Sequence, residues 1–378
     1  MTADEPVEAE PVANMFDRSL TSEELEDLTD ADEAPVAVTF SSQDFDVSGL
    51  VRRLDSNSMF IPRLGIVDDR VGMAGFQRGF VWSKAQMDRF IESLLLGYPV
   101  PGIFLIKQSE DNRLLVLDGQ QRLLTLSKFS EGVHRNRPFV LTNVADEFKG
   151  LTYKTLPEAL KFKLDDSYMQ ATIVSADGSA AVDNAIFQIF ERLNSGGTQL
   201  TPHEIRVALA AGPLIEYLEE LNSDVSWRAL YGPRSARIRD QELVLRALAL
   251  YIDAARYSRP LKIFLNSFAS KNRQPDEAIR GAGTLFRASC KALIDDGIGQ
   301  AALRRPDVSQ VNAAQAEAVI VGLMHAIDEG GSLPKDLGHR IQGLQQDPEF
   351  VHATTRATAD NDSVAFRLAK TRQAFTKK

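Results

Sequence analysis

The chain has 378 residues and a formal net charge of −9, but the charge is uneven. Residues 1–38 hold twelve Asp or Glu against a single basic residue, Arg18, which leaves 40 acidic and 42 basic side chains in the rest. A hydrophobic content of 44% excludes a wholly disordered chain. A lone cysteine, Cys290, excludes a disulfide scaffold, and with only five scattered histidines it leaves no Cys/His zinc site.

No apolar run approaches the ~18 residues of a membrane span, and the acidic N-terminus lacks the apolar stretch of a secretory signal. The expectation is a cytoplasmic protein with no membrane partner. Residues 1–38 read as an acidic, solvated tail that either aids solubility or competes for a basic groove. Ordered sequence begins near Phe40, with Val47, Leu50, Val51 and Leu54 at helical spacing. Ser83 and Gln86 form the capping box of the next helix, whose buried stripe is Met87, Phe90, Ile91, Leu94 and Leu95. Gly97 suits its C-terminal end, and Pro99 and Pro101 keep it from resuming.

Gly102–Ile106 and Leu114–Leu117 read as buried strands. Asp118-Gly119 then leads into an amphipathic helix carrying Leu123, Leu124, Leu126 and Phe129. A further strand pair is expected around Phe139–Leu141 and Met169–Val174, with a helix over Leu156–Leu164 between them, and Ser175–Ala181 reads as a linker. From Asn184 the pattern is helical. Ile186, Phe187, Phe190 and Leu193 form a stripe that stops at Asn194-Ser195-Gly196-Gly197. Thr201-Pro202-His203-Glu204 restarts a helix with a Thr cap, Pro at the first helical position and Glu three residues after the cap. Further helices fit about 214–222, 240–256, 260–270, 275–295, 310–328 and 361–376. The expected domains are therefore an acidic tail (1–38), an α+β domain (39–181) and an all-α domain (182–378). His203 is expected to be exposed and Cys290 to lie in the core.

Three stretches have the residue types for ligand chemistry. In Asp118-Gly119-Gln120-Gln121-Arg122 a buried strand turns directly into a helix, whose N-terminus favours an anion. Gly119 allows close backbone approach, Gln120 and Gln121 supply amide donors, Arg122 can grip phosphate oxygens, and Asp118 can hold a metal ion or orient a water. A tight strand–helix turn with Asp118 as helix cap explains the same residues. Gln77-Arg78 followed by Trp82 suits nucleotide recognition by charge and stacking; a core Trp82 and an ion-paired Arg78 are the alternative. Asn194-Ser195-Gly196-Gly197 either wraps a ligand or reverses the chain, and it lacks the Lys-Ser or Lys-Thr of a P-loop.

Taken in order, Gln77-Arg78, Val81-Trp82, Gly97-Tyr98-Pro99-Val100-Pro101, Asp118–Arg122 and Phe190–Thr198 resemble the N-terminal domain of GmrSD-type restriction endonucleases, a domain related to the ParB/sulfiredoxin-like fold. The resemblance implies an α+β domain of that kind followed by an all-α domain. It implies that Asp118, Gln121 and Arg122 are catalytic in nucleoside triphosphate hydrolysis, that Gln77, Arg78, Gly119, Gln120, Asn194, Gly196 and Gly197 bind the nucleotide, and that Mg2+ sits on Asp118. It also implies action on DNA in restriction or phage defence. Many such proteins carry a C-terminal nuclease with a His-x-x-Pro motif, and no histidine here is followed by Pro three residues on. A separate nuclease subunit is the corresponding expectation. A nucleotide-switched DNA- or protein-binding regulator without turnover is the alternative.

Overall fold

The computed structural model describes residues 38–61, 82–108, 111–176, 180–193, 201–210, 212–306, 308–330 and 333–376. The acidic tail, Gln77-Arg78 and the Asn194–Gly197 loop lie outside the described residues. The described residues form two compact units, 38–193 and 201–376. The first is α+β and the second all-α, as the sequence implies.

In the first unit a five-stranded mixed sheet has the order β1-β7-β3-β4-β2, built from β1 (Phe40–Asp46), β2 (Met59–Phe60), β3 (Ile103–Lys107), β4 (Leu114–Asp118) and β7 (Tyr168–Ser175). β3 is antiparallel to β4 and parallel to β7, and β1 pairs antiparallel with β7. Side chains alternate between sheet faces, so Ile103, Leu105, Val116, Met169 and Ala171 share one core, and Ile106, Leu115, Leu117 and Val174 are buried on the opposite face. The shared core is completed by α1 (Val47–Asp55), α2 (Lys84–Leu96), α3 (Gln120–Glu131) and α4 (Glu158–Asp165). α2 has the expected capping box at Ser83 and Gln86 and ends on a left-handed Gly97 (φ 81°). α5 (Ala180–Leu193) starts inside the expected linker and buries Ile186, Phe187 and Phe190.

The segment Phe139–Leu141, expected as a strand, is buried but joins no ladder. A two-residue ladder precedes it instead: β5 (Val133–His134) and β6 (Arg137–Pro138) form a hairpin. The following backbone is held by a side chain. Asp88, fully buried on α2, accepts from the Thr142 and Asn143 N–H groups (3.1 and 3.0 Å), from Thr142 Oγ1 (3.0 Å) and from Asn143 Nδ2 (2.9 Å). Burial works against its charge, but an ion pair with Lys84 and these donors hold its pKa below the usual value.

The second unit contains α6 (Pro202–Leu209), α7 (Pro213–Asn222), α8 (Val225–Tyr231), α9 (Arg239–Asp253), α10 (Leu261–Lys271), α11 (Glu277–Asp296), α12 (Ala313–Asp328), α13 (Leu337–Gln346), α14 (Pro348–Ala353) and α15 (Asn361–Thr376). The apolar α12 is central, packed by α9, α11 and α15. Cys290 is buried in this core, as expected. No helix among the described residues is long and apolar enough to cross a membrane.

His203 departs from expectation: it is fully buried rather than exposed. Arg206 Nη1 reaches its Nδ1 at 3.1 Å, and its Nε2 lies 3.2 Å from Gln241 Oε1. Because arginine only donates, Nδ1 must accept and Nε2–H must donate to Gln241, which specifies a neutral ring. Burial depresses its pKa to about 3, with Glu242 opposing only in part. Glu242 is held at about 2: burial pushes it up, and Arg246 overcomes that. A depressed histidine makes the unfolded state the better proton acceptor once pH falls below the ordinary value near 6.5, so stability declines from there towards pH 3. The Glu242 contribution is lost only as pH falls below the ordinary carboxylate range towards 2. Between pH 6.5 and 5 the His203 contribution is therefore a loss of about 2 kcal/mol. Urea unfolding of a Trp82→Phe protein, in which Trp227 alone reports the helical unit, checks this. His203→Gln should lose correspondingly less stability between pH 7 and 5, and equal losses would exclude His203 as the source.

Candidate functional site

β4 ends at Asp118, Gly119 turns the chain, and α3 begins at Gln120. Gly119 has φ 97° and ψ 7°, in the left-handed region. A Cβ there would lie 2.3 Å from Ile103 Cγ2. Close packing of the turn on β3 thus demands glycine, whatever a ligand requires.

Asp118 does not cap the helix. Gly119 occupies the N-cap position and α3 has no side-chain cap, so the first turn keeps the polarity of an uncapped N-terminus. The Asp118 carboxylate is half exposed (53%) and accepts from Arg122 Nη2 at 2.8 Å. The same Nη2 donates to the Gly102 carbonyl at 2.9 Å, and Arg122 Nε is buried without a hydrogen-bond partner among the described residues. Arg122 therefore ties the end of β4 to the residue before β3. Gln121 Oε1 accepts from the Trp82 N–H at 3.3 Å, which links the first turn of α3 to the residue preceding the cap of α2. Gln120 is half-buried in the same turn.

Asp118, Gly119, Gln120, Gln121 and Arg122 are thus brought together. The five other expected nucleotide-binding residues, Gln77, Arg78, Asn194, Gly196 and Gly197, lie outside the described residues. Two partners of the motif escaped sequence reading, the Gly102 carbonyl and the Trp82 N–H, because backbone groups leave no residue-type signal. Among the described residues no group of three or more His, Cys, Asp or Glu side chains is placed to hold a metal ion. Mg2+ commonly takes one or two carboxylates and completes its shell with water and phosphate oxygens. Asp118, with one oxygen outside its ion pair, fits a single-carboxylate role of that kind.

Residues 64–211 match the family described as GmrSD restriction endonuclease, N-terminal domain. No curated protein and no solved structure gives a match. The matched stretch contains β3, β4, the Asp118–Arg122 turn and Thr201–Leu209, and β1, α1 and β2 precede it. Over residues 64–211 the chain is therefore similar to the N-terminal domain of GmrSD-type restriction endonucleases.

Proposed function

We propose that the chain is a nucleoside triphosphate-binding and hydrolysing component of a DNA restriction or phage-defence system, working with DNA and a separate nuclease subunit. The observation that carries this reading is the uncapped N-terminus of α3 with Arg122 and Asp118 at its mouth, inside a restriction-family domain. The helix end and the Arg122 guanidinium would hold phosphate oxygens. Arg122 can do so without releasing the Gly102 carbonyl, because only Nη2 is engaged there. Asp118 would hold Mg2+, which supplies charge neutralisation on the phosphates when bound. Gln121, anchored on the Trp82 N–H, would position its side chain at the first turn.

One observation favours a second reading, nucleotide binding as a switch without turnover. One oxygen of the motif carboxylate is taken up by Arg122, which leaves Asp118 fewer acceptor positions with which to orient an attacking water.

Phosphate release with each of the common nucleoside triphosphates, with and without DNA, separates the two. In the hydrolytic reading Arg122→Ala lowers kcat/KM by about 100-fold or more, and Asp118→Asn lowers it while shifting the Mg2+ requirement. Circular dichroism controls for the fold, since Arg122 also ties β3 to β4. Tight binding with no release selects the switch. Equal turnover in wild type, Asp118→Asn and Arg122→Ala would remove these residues from the site.

A further inference from the structure

A groove of about 600 Å³ opens beside the β5–β6 hairpin, with Trp82, Lys84, His134, Arg135 and Arg137 on its walls. Its size falls in the ~300–1,000 Å³ range of ligand clefts. Among the described residues no carboxylate lines it.

The cations there are of two kinds. Lys84 is already committed: it pairs with buried Asp88, donates to the Val140 carbonyl at 2.5 Å, and sits 4.6 Å from the Phe139 ring centroid. Arg135 and Arg137 are exposed, and neither has a carboxylate within ion-pair distance among the described residues. Their backbone is well fixed for surface arginines. Arg135 and Asn136 occupy the left-handed region (φ 50° and 59°), the geometry of a two-residue hairpin turn, and His134 pairs with Arg137 across it. Two uncompensated guanidinium groups are thus carried on a short, hydrogen-bonded turn. The local field is positive: burial, then Lys128, Arg135 and Lys84, push the His134 pKa down.

Trp82 supplies the other ingredient. It is half-buried, packs edge-on against Phe90 at 5.5 Å, and contributes its remaining surface to the groove. A positive groove with an aromatic on its wall suits an unpaired strand, whose phosphates meet the cations while a base stacks on the ring. In a duplex the base faces are already stacked and closed to Trp82.

We propose that this groove binds a short run of single-stranded DNA, with backbone phosphates on Arg135 and Arg137 and a base against Trp82. It deepens the restriction reading by naming the surface that meets DNA, and rests on that reading only for DNA over RNA.

Fluorescence anisotropy of the full chain with a labelled strand of about 20 nucleotides tests it. Wild type should bind with an affinity that falls from about 50 to 200 mM salt. Arg135→Ala/Arg137→Ala should weaken binding at least about tenfold and flatten the salt slope by about 1.4, the share of two phosphate contacts on a single strand. Arg135→Lys/Arg137→Lys should restore most of the affinity. Strand binding should also quench Trp82 emission. Trp227, the other tryptophan, is fully buried in the helical unit and should not respond. Three outcomes would overturn the proposal: unchanged affinity in the Ala double variant, preferred binding of duplex or RNA, or loss of nucleotide turnover in the double variant with strand binding intact. Phosphate release measured in parallel keeps the two readings apart. Strand binding without hydrolysis retains the groove and rejects only the hydrolytic reading, and hydrolysis with arginine-independent strand binding rejects the groove and retains the nucleotide site.

Discussion

Arg367→Ala is expected to destabilise the helical unit by about 3–5 kcal/mol, because it strands a buried carboxylate. Arg367 on α15 and Glu317 on α12 are both almost completely buried, and the guanidinium meets Glu317 Oε1 through Nε (3.1 Å) and Nη2. The other cation near Glu317 is Arg246, 3.6 Å from Oε2 and already donating to Glu242 at 2.9 and 2.7 Å. It is therefore a poor replacement. Arg367 also donates through Nη1 to the Ala353 and Thr358 carbonyls, at 3.3 and 2.5 Å. The comparison that isolates the charge effect is the double variant Glu317→Leu/Arg367→Met, which removes both ions at similar volume and should recover most of the loss in urea unfolding. Equal destabilisation in the single and double variants would transfer the cost to the two carbonyls.

Gly119→Ala should cost the first unit about 2–5 kcal/mol. A left-handed backbone costs an L-residue about 1–2 kcal/mol, and overpacking against Ile103 adds about 1–3 kcal/mol. The added Cβ would press on Ile103 Cγ2 and β3, against which the whole turn is set. Gly119→Asn tolerates the backbone conformation better but keeps the collision, so it should remain clearly destabilised. Gly119→Ala/Ile103→Ala should be less destabilised than the sum of the two single variants in thermal unfolding. Strict additivity would show that the collision is relieved in some other way.

Local signals were legible where they act within a few residues. The Ser83/Gln86 and Thr201/Glu204 capping boxes, the left-handed end at Gly97 and the apolar stripe of α2 form as the sequence predicts, as do Leu123, Leu126 and Phe129 of α3 and Ile186, Phe187 and Phe190 of α5, while Leu124 is only half-buried. What escaped depends on residues far along the chain. β1 has the sequence FSSQDFD and buries only Phe45 fully. It is an edge strand held by backbone pairing to β7, so it lacks the alternation that marks a half-buried strand. Phe139 and Leu141 look like strand residues because they are apolar at alternate positions, yet the backbone beyond them is satisfied by Asp88, more than fifty positions earlier. His203 looks exposed at a helix start, and it is buried because Gln241 on α9 and Arg206 satisfy both ring nitrogens. At the candidate site the strand–turn–helix form of Asp118–Arg122 was legible. The pairing of Asp118 with Arg122 was not, because i,i+4 spacing across a strand–helix junction does not fix which way the guanidinium turns.

The hydrogen bond from the Trp82 N–H to Gln121 has a consequence for energetics. It joins a wall of the hairpin groove to the first turn of α3. With both proposed ligands in place, a nucleotide that shifted Gln121 and a strand that stacked on Trp82 would act on the same bond. Linkage makes the effect mutual: the factor by which strand changes nucleotide affinity equals the factor by which nucleotide changes strand affinity. A Gln121→Leu protein, which keeps the side-chain bulk and loses the acceptor, should bring both factors towards one together.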